Sequence, residues 1–227
     1  MKLGIQICSE LEWESAKSIL KIKRNDLQRQ PFGKYFARSF GQHECICYHS
    51  GATKTRAAAA CQFAIDMWHP NAIVNLGTCG GVLKNVRKLN VILAKKTFQY
   101  DVIQRFGNPS IRFKKDLETT LDISWINLTR VPTEIYIGTI ASADQDLDDE
   151  NRVFLQGKKV LAADWESDSI AKICELNKIK CLILRGVSDI PEKRRESKED
   201  IQESDYKKNT RIIMKDLLSI IGQIEFQ

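Results

Sequence analysis

Polar residues suited to acid–base chemistry follow almost every apolar segment of this 227-residue chain. The set comprises Glu10, Glu12, Ser50, Thr78, Asp101, Ser142, Asp144, Glu166, Ser188 and Asp189. Each has an ordinary structural explanation, because Asp, Ser and Thr after a strand commonly cap helices or turns. In open α/β sheets, however, the ligand lies beyond the carboxyl ends of the strands, so the set as a whole predicts a cleft there. Two carboxyl groups in different surroundings can divide acid and base catalysis between them.

The elements that must position these residues alternate between strands and helices. The periodicity predicts strands over residues 2–7, 35–40, 44–49, 72–76, 91–100, 135–142, 160–163 and 180–187. It predicts helices over residues 10–20, 165–176 and about 200–224, and an Ala-rich helix that residues 50–53 cap and that ends near residue 67. Residues 101–131 show no clear pattern. The alternation favours an α/β fold, a three-layer α/β/α sandwich with a mixed, largely parallel central sheet.

Length and composition indicate a single folded domain over residues 1–227. Hydrophobic residues make up 43% of the chain and charged residues 28%, which excludes general disorder and allows a sizeable core. No apolar run approaches the roughly 18 residues of a bilayer span, and the amino terminus lacks the pattern of a signal peptide. We therefore expect a cytoplasmic protein without a membrane partner.

The cysteine and histidine pattern gives no indication of a metal site or a cofactor. The chain has seven cysteines, which is an odd number, and it has no Cys-x-x-Cys pair. Most of the cysteines lie in apolar segments. The three histidines (His43, His49 and His69) lack the spacing of metal ligands. The cysteines are therefore expected to be small buried side chains in a reducing compartment.

The positive charge is concentrated in residues 84–115. This segment carries nine Lys and Arg residues against one acid, Asp101, whereas the whole chain has a formal net charge of +6. Such a segment could contact nucleic acid. Solvated strand faces and a loop are the favoured interpretation, because no aromatic-rich binding motif accompanies the charge.

Three segments together carry a more specific signal. Residues 163–174 begin a helix with Asp164, Trp165 and Glu166, and residues 184–189 end a strand with Arg185, Ser188 and Asp189. Residues 75–81 read Asn-Leu-Gly-Thr-Cys-Gly-Gly, and Glu12 lies just after the first strand. These segments resemble the purine and uridine nucleoside phosphorylase superfamily, and most closely its methylthioadenosine/S-adenosylhomocysteine nucleosidase branch. The Gly-rich segment fits neither a dinucleotide fingerprint nor a Walker loop.

The resemblance implies cleavage of the bond between a purine and ribose. Asp189 would donate its proton to purine N7 with Ser188 orienting it, and Glu12 would deprotonate the attacking water, helped by Arg185 and Thr78. Glu166 would accept hydrogen bonds from the ribose hydroxyls. The remaining implied substrate contacts are Ser50, Cys79, Gly80, Leu147, Trp165 and Asp144, and Asp144 resembles the family's base-recognising aspartate.

Some residues depart from the family pattern and bear on the substrate. Trp165 replaces a methionine under the ribose, and its larger indole should reshape the sugar and 5′ pockets. Asp146 stands where the family places an apolar or aromatic residue against the base, so either Leu147 packs there or the nucleoside differs.

The sequence leaves alternatives open. Related phosphorylases carry a Gly-Asp-Pro-x-Arg loop after the first strand, where residues 8–12 here include Glu10 and Glu12, which would repel phosphate. Hydrolysis is favoured, although Lys54, Arg56 and Arg185 keep phosphorolysis open. A futalosine-type substrate and an inactive nucleoside-binding module are further alternatives. The resemblance also implies a homodimer, in which residues 101–131 would close the neighbour's pocket.

Overall fold

The computed structural model describes residues 1–107, 111–190 and 199–227. Its strands are β1 (Lys2–Ile7), β2 (Gln28–Gln30), β3 (Gly33–Phe40), β4 (His43–His49), β5 (Ala72–Gly81), β6 (Val91–Gln99), β7 (Glu118–Thr120), β8 (Ile126–Asn127), β9 (Ile135–Ser142), β10 (Ala162–Asp164), β11 (Lys180–Asp189) and β12 (Glu225–Phe226). Its helices are α1 (Glu10–Leu20), α2 (Lys54–Trp68), α3 (Ile111–Asp116), α4 (Asp149–Gly157), α5 (Ser167–Leu176) and α6 (Glu199–Ile221). None of the helices in this part of the chain is both long and apolar enough to cross a membrane.

The central sheet is mixed, with parallel strands at its centre. The strand order is β10-β9-β6-β11-β5-β1-β4-β3-β2, and β7 pairs with β6. The neighbours β4, β1, β5 and β11 are parallel to one another, whereas β11 and β6 are antiparallel. Because β10 also pairs with β5, the strands β5, β11, β6, β9 and β10 close into a small ring.

Helices cover both faces of this sheet, which confirms the predicted α/β/α sandwich. On one face, Trp13 of α1 and Met214 of α6 join the buried side chains of β1 in one core. On the other face, Ala57, Ala60 and Ala64 of α2 form a second core with α5. These small side chains recur at helical spacing, so α2 can lie close to the sheet.

Several strands extend further than their periodicity indicates. β5 continues through the whole Gly-rich segment to Gly81, and β11 continues to Asp189. Gly80 and Gly81 pair with Ala163 and Ala162 of β10, so a partner distant in the chain holds the glycines in extended conformation. Sequence periodicity missed β2, α3, β7, β8, α4 and β12, five of which have six residues or fewer. Short elements depend on tertiary partners more than on local pattern.

The seven cysteines are all buried as free thiols. In the basic segment, Lys84, Arg87, Lys88 and Lys95 are solvent-exposed, and residues 108–110 lie outside the described part of the chain.

Candidate active site

A cavity of about 740 Å³ opens where β5, β10 and β11 end, next to the start of α1. Nine of the twelve residues predicted to form the site line it: Glu12, Thr78, Cys79, Gly80, Leu147, Trp165, Glu166, Ser188 and Asp189. The carboxyl groups of Glu12 and Asp189, which are remote in sequence, therefore face one shared cavity.

The start of α1 fixes Glu12. Ser9 and Glu12 form a capping box, in which Ser9 Oγ accepts a hydrogen bond from the Glu12 N–H at 3.2 Å and Glu12 Oε2 accepts one from the Ser9 N–H at 3.0 Å. This reciprocal pair satisfies two backbone donors of the first helical turn. The cap that begins the helix thus also orients the Glu12 carboxylate.

Thr78 of β5 holds the other oxygen of Glu12. Glu12 Oε1 accepts hydrogen bonds from the Thr78 N–H at 2.6 Å and from Thr78 Oγ1 at 2.8 Å. This approach requires a glycine at position 77. A Cβ on Gly77 would lie 2.2 Å from Arg185 Nη1 and 2.8 Å from Glu12 Oε1.

Arg185 is buried and does not line the cavity, and its expected help to Glu12 stays a prediction. Its Nε is 2.8 Å from Asp164 Oδ2, and its Nη2 donates to Asn75 Oδ1 at 2.7 Å. Its Nη1 is 4.0 Å from Glu12 Oε1. Burial by itself lowers the pKa of Arg185, but the charges of Asp164 and Glu166 raise it above the ordinary value. The guanidinium is thus a buried counter-ion that holds acids in place.

Glu166 is a buried acid on the cavity wall. Its Oε1 accepts a hydrogen bond from the Thr53 N–H at 3.3 Å, and its Oε2 accepts one from Arg185 Nη2 at 3.4 Å. Burial raises the pKa of Glu166 to about 8, against the lowering effect of Arg185. Both hydrogen bonds are long, so the carboxyl group can accept further donors from a ligand.

A bulge in β11 aims Asp189 into the cavity. The register between β11 and β5 shifts between Val187 and Asp189, so Asp189 lies opposite Gly80. Such an irregularity re-aims a side chain at the end of a strand. Ser188 Oγ donates to Asp189 Oδ1 at 2.6 Å. Burial raises the pKa of Asp189; the Ser188 hydrogen bond and the charge of Lys88 lower it, and the charge of Asp146 raises it.

The structure does not place Ser50 or Asp144 on the cavity wall. Ser50 is fully buried, and its hydroxyl donates to the Gly51 carbonyl at 3.0 Å. Asp144 Oδ1 accepts a hydrogen bond from the Lys54 N–H at 2.8 Å. Asp144 therefore caps α2, and its implied contact with the substrate stays a prediction.

The predicted cap of α2 is also corrected. Thr53 has a φ of 85° and makes no side-chain cap hydrogen bond. Instead, Asp144 accepts from Lys54 and Glu166 accepts from the Thr53 N–H. Acids from elsewhere in the chain satisfy the first backbone donors of α2, where the helix dipole favours negative charge.

Sequence reasoning missed several residues of the cavity wall, including Asp164, Lys88, Tyr100, Asp205 and Tyr206. Asp164 lies inside the recognised segment, directly before Trp165, so its position offered a signal. Tyr206 comes from α6, and no sequence feature connects that helix with the cavity. Within residues 1–107, 111–190 and 199–227, no group of three or more His, Cys, Asp or Glu is arranged to hold a metal ion.

Comparisons with known proteins identify the family of this chain. A family model described as "Phosphorylase superfamily" matches residues 5–222. The 5′-methylthioadenosine/S-adenosylhomocysteine nucleosidase of Geobacillus sp. (strain WCH70) is 28% identical over 159 residues, covering 65% of this chain and 68% of that protein. The protein of the same name from Buchnera aphidicola subsp. Acyrthosiphon pisum (strain APS) is 26% identical over 202 residues, covering 83% and 85%.

Solved structures share the fold. A putative nucleosidase of that type from Francisella philomiragia superposes with a TM-score of 0.81 at 21% identity, covering 97% of this chain and 98% of that chain. A futalosine hydrolase mutant from Helicobacter pylori strain 26695 superposes with a TM-score of 0.79 at 19% identity, covering 97% and 98%.

Proposed function

The chain belongs to the phosphorylase superfamily, and from that premise we propose that it is a nucleosidase that hydrolyses the N-glycosidic bond of a purine nucleoside. The observation that carries the proposal is the placement of Glu12 and Asp189 on one cavity in different surroundings. Cleavage of a glycosidic bond needs an acid for the leaving group and a base for the attacking water. The two carboxyl groups can supply both functions.

Each acid has surroundings that suit its proposed role. Asp189 donates a proton to purine N7, because burial favours its neutral form and Ser188 holds one carboxyl oxygen. Glu12 accepts a proton from water, since three protein N–H and O–H groups keep it in a fixed orientation. Glu166 accepts hydrogen bonds from the ribose hydroxyls, and Trp165 packs against the sugar.

The charges near the cavity support water over phosphate as the nucleophile. The three cations that kept phosphorolysis open are already engaged. Arg185 pairs with Asp164, Lys54 Nζ lies 2.5 Å from Asp101 Oδ1, and Arg56 donates to the Ser50 carbonyl at 3.0 Å. The wall carries the carboxyl groups of Glu12, Asp146, Asp164, Glu166, Asp189 and Asp205. A phosphate dianion would be repelled by those of these groups that are ionised, and Lys88 is the one Lys or Arg among the described residues of the wall.

The substrate we propose is a 5′-modified adenine nucleoside. The names of the relatives support this proposal, because those proteins are nucleosidases of 5′-methylthioadenosine and S-adenosylhomocysteine. Incubation of the purified protein with both compounds and with futalosine, each with and without inorganic phosphate, tests it by chromatography. We expect free adenine and a free sugar without phosphate.

Three other results would contradict this proposal. Sugar 1-phosphate formed only with phosphate would show a phosphorylase. Hypoxanthine released from futalosine, with the adenine nucleosides untouched, would show a different substrate. An intact nucleoside bound after long incubation would show a binding module without turnover.

We further propose that the protein is a homodimer. Val102, Ile103 and Phe106 are exposed apolar side chains in residues 101–131, and Phe106 is 89% exposed. Apolar groups clustered on a surface mark interaction sites. Sedimentation velocity should show a dimer that Phe106→Ser weakens and that the matched control Phe154→Ser on α4 leaves intact. A monomeric wild-type protein would contradict this proposal.

The remaining expectations on location and domain organisation are also proposals. Seven free thiols support a reducing, cytoplasmic location. One shared sheet covered by both helical layers supports a single domain over residues 1–227. A single cooperative unfolding transition would agree with one domain, whereas two separate transitions would contradict it.

A further inference from the structure

Tyr206 brings a phenol hydroxyl from α6 to the cavity wall beside Glu12 and Thr78. Its side chain is half-buried, whereas its neighbours Asp205 and Lys207 are exposed. Burial is the largest effect that raises the pKa of Tyr206, and the charge of Glu12 raises it further. The hydrogen bond with Thr78 lowers it. The hydroxyl therefore keeps its proton near neutral pH and can act as a donor.

The positions of the oxygens fix the order of donors. Thr78 Oγ1 is 2.8 Å from Glu12 Oε1, and a carboxylate oxygen can only accept, so Thr78 gives its single hydroxyl proton to Glu12. The Tyr206 hydroxyl lies 3.5 Å from Thr78 Oγ1. Because the Thr78 proton is already used, a hydrogen bond between these hydroxyls has Tyr206 as the donor. The chain of donors runs from Tyr206 to Thr78 to Glu12.

The same contacts distinguish the two oxygens of Glu12. Oε1 accepts hydrogen bonds from both the N–H and the hydroxyl of Thr78. These two bonds use its capacity as an acceptor. Oε2 accepts only from the Ser9 N–H among the contacts the structure describes, at 3.0 Å. Oε2 is thus the oxygen that retains capacity for a proton from water.

We propose that Tyr206 is a positioning residue that acts on Glu12 through Thr78. Its hydroxyl holds the Thr78 hydroxyl in the rotamer that donates to Oε1, and this leaves Oε2 as the proton-accepting atom. The inference rests on the proposed hydrolysis, in which Glu12 is the base. At 3.5 Å the hydrogen bond is long, so its effect on rate is that of one modest hydrogen bond.

The test is a double-mutant cycle on nucleoside hydrolysis by the full-length protein. Tyr206→Phe should lower kcat about 3- to 10-fold and change KM less than about twofold, because the lost hydrogen bond acts on the base and not on bound substrate. Thr78→Val should lower kcat further, and adding Tyr206→Phe to it should have no additional effect. In a Thr78→Ser background, which keeps the hydroxyl, Tyr206→Phe should again lower kcat.

The controls separate this proposal from the proposed function itself. Tyr136→Phe removes a phenol oxygen from β9 outside the cavity and should leave kcat unchanged; thermal melts check that each variant folds. An equal loss from Tyr206→Phe in the wild-type and Thr78→Val backgrounds, or a change in KM alone, would overturn the positioning role. A wild-type protein that releases no base from any nucleoside would instead overturn the proposed function.

Discussion

The acids of the cavity differ in what surrounds each carboxyl group. Asp164 is matched by the guanidinium of Arg185 at 2.8 Å, whereas Glu12 is held mainly by N–H and O–H donors. Asp189 has Ser188 as its hydroxyl partner, and burial raises its pKa. Glu166 is more deeply buried than Asp189. Groups of the same chemical type can therefore perform different tasks in one site.

Replacing either proposed catalytic acid should abolish most turnover with little effect on folding. Glu12→Gln and Asp189→Asn should each lower kcat about 10²- to 10⁴-fold, the range for loss of a general acid or base. The matched control is Glu14→Gln, two residues along α1 and outside the cavity wall, which should retain activity. Chromatographic rates of base release provide the measurement, and near-full turnover by either variant would refute its assigned role.

Ligand binding should release a proton from Glu166. The pKa of Glu166 is about 8, so below that pH the carboxyl group is mostly protonated. Ribose hydroxyls that donate to Glu166 favour its ionised form. Because that form becomes more abundant as the pH rises, the affinity for the nucleoside should increase up to about pH 8. Calorimetry with a non-hydrolysable nucleoside analogue, in buffers of different ionisation enthalpy, measures the release. A 2′,3′-dideoxy analogue should release no proton from this group, and an equal release with both analogues would contradict the prediction.

At the scale of elements, β5 and β11 carry the site together. They pair in parallel, with Arg185 opposite Gly77 and Gly186 opposite Thr78, so both strands deliver polar groups to the same end of the sheet. α6 packs against both strands and contributes Tyr206 to the wall. Close contact between these elements depends on glycines where a side chain would not fit.

Gly186→Ala should separate β11 from α6. A Cβ at this position would lie 2.3 Å from Ile213 Cγ2, so the helix or the strand must shift. We expect a loss of about 1–3 kcal/mol in the free energy of unfolding, the usual cost of overpacking a core. Gly157→Ala is the control, because its Cβ would meet no atom within 4 Å. Denaturant unfolding gives both values, and equal stability of the two variants would contradict this view of the packing.

Asp144→Ala distinguishes helix capping from base recognition. Loss of the cap on the Lys54 N–H should lower stability by about 1 kcal/mol. If the carboxylate only caps α2, kcat/KM should fall less than about threefold at temperatures where the variant is folded. A large fall in kcat/KM without a change in stability would restore the base-recognising role that the resemblance implies.

At the scale of the molecule, closure of the five-strand ring assembles the site. The pairing of β10 with β5 places Asp164, Trp165 and Glu166 next to the glycines that end β5. All seven cysteines are buried, so the thiols report on the integrity of the whole fold.

The seven thiols should react with a thiol reagent only when the protein unfolds. All are buried, and burial raises the pKa of several, including Cys8, Cys47 and Cys79, which suppresses the reactive thiolate. Native protein mixed with Ellman's reagent should label slowly, at a rate that follows global unfolding, whereas denatured protein should label all seven at once. Rapid labelling of native protein would show a thiol open to solvent.

The amino-acid sequence by itself determined the order of the main elements and nine of the twenty described residues of the cavity wall. The helix α1 has the predicted bounds, because Ser9 and Glu12 form a local cap and apolar residues recur at helical spacing. The strands β1 and β9 likewise match their predictions. These signals act over a few residues, so a single sequence carries them completely.

Only the tertiary structure decided how the polar groups are shared among distant partners. Arg185 pairs with Asp164 beneath the cavity, Asp144 caps α2, and Tyr206 enters from α6. Such contacts join residues far apart in the chain, and the register of strand pairing and the burial of each charge select them. A buried guanidinium needs acids beside it to balance its charge. The free N–H groups at a helix N-terminus donate to whichever carboxylate the fold brings near.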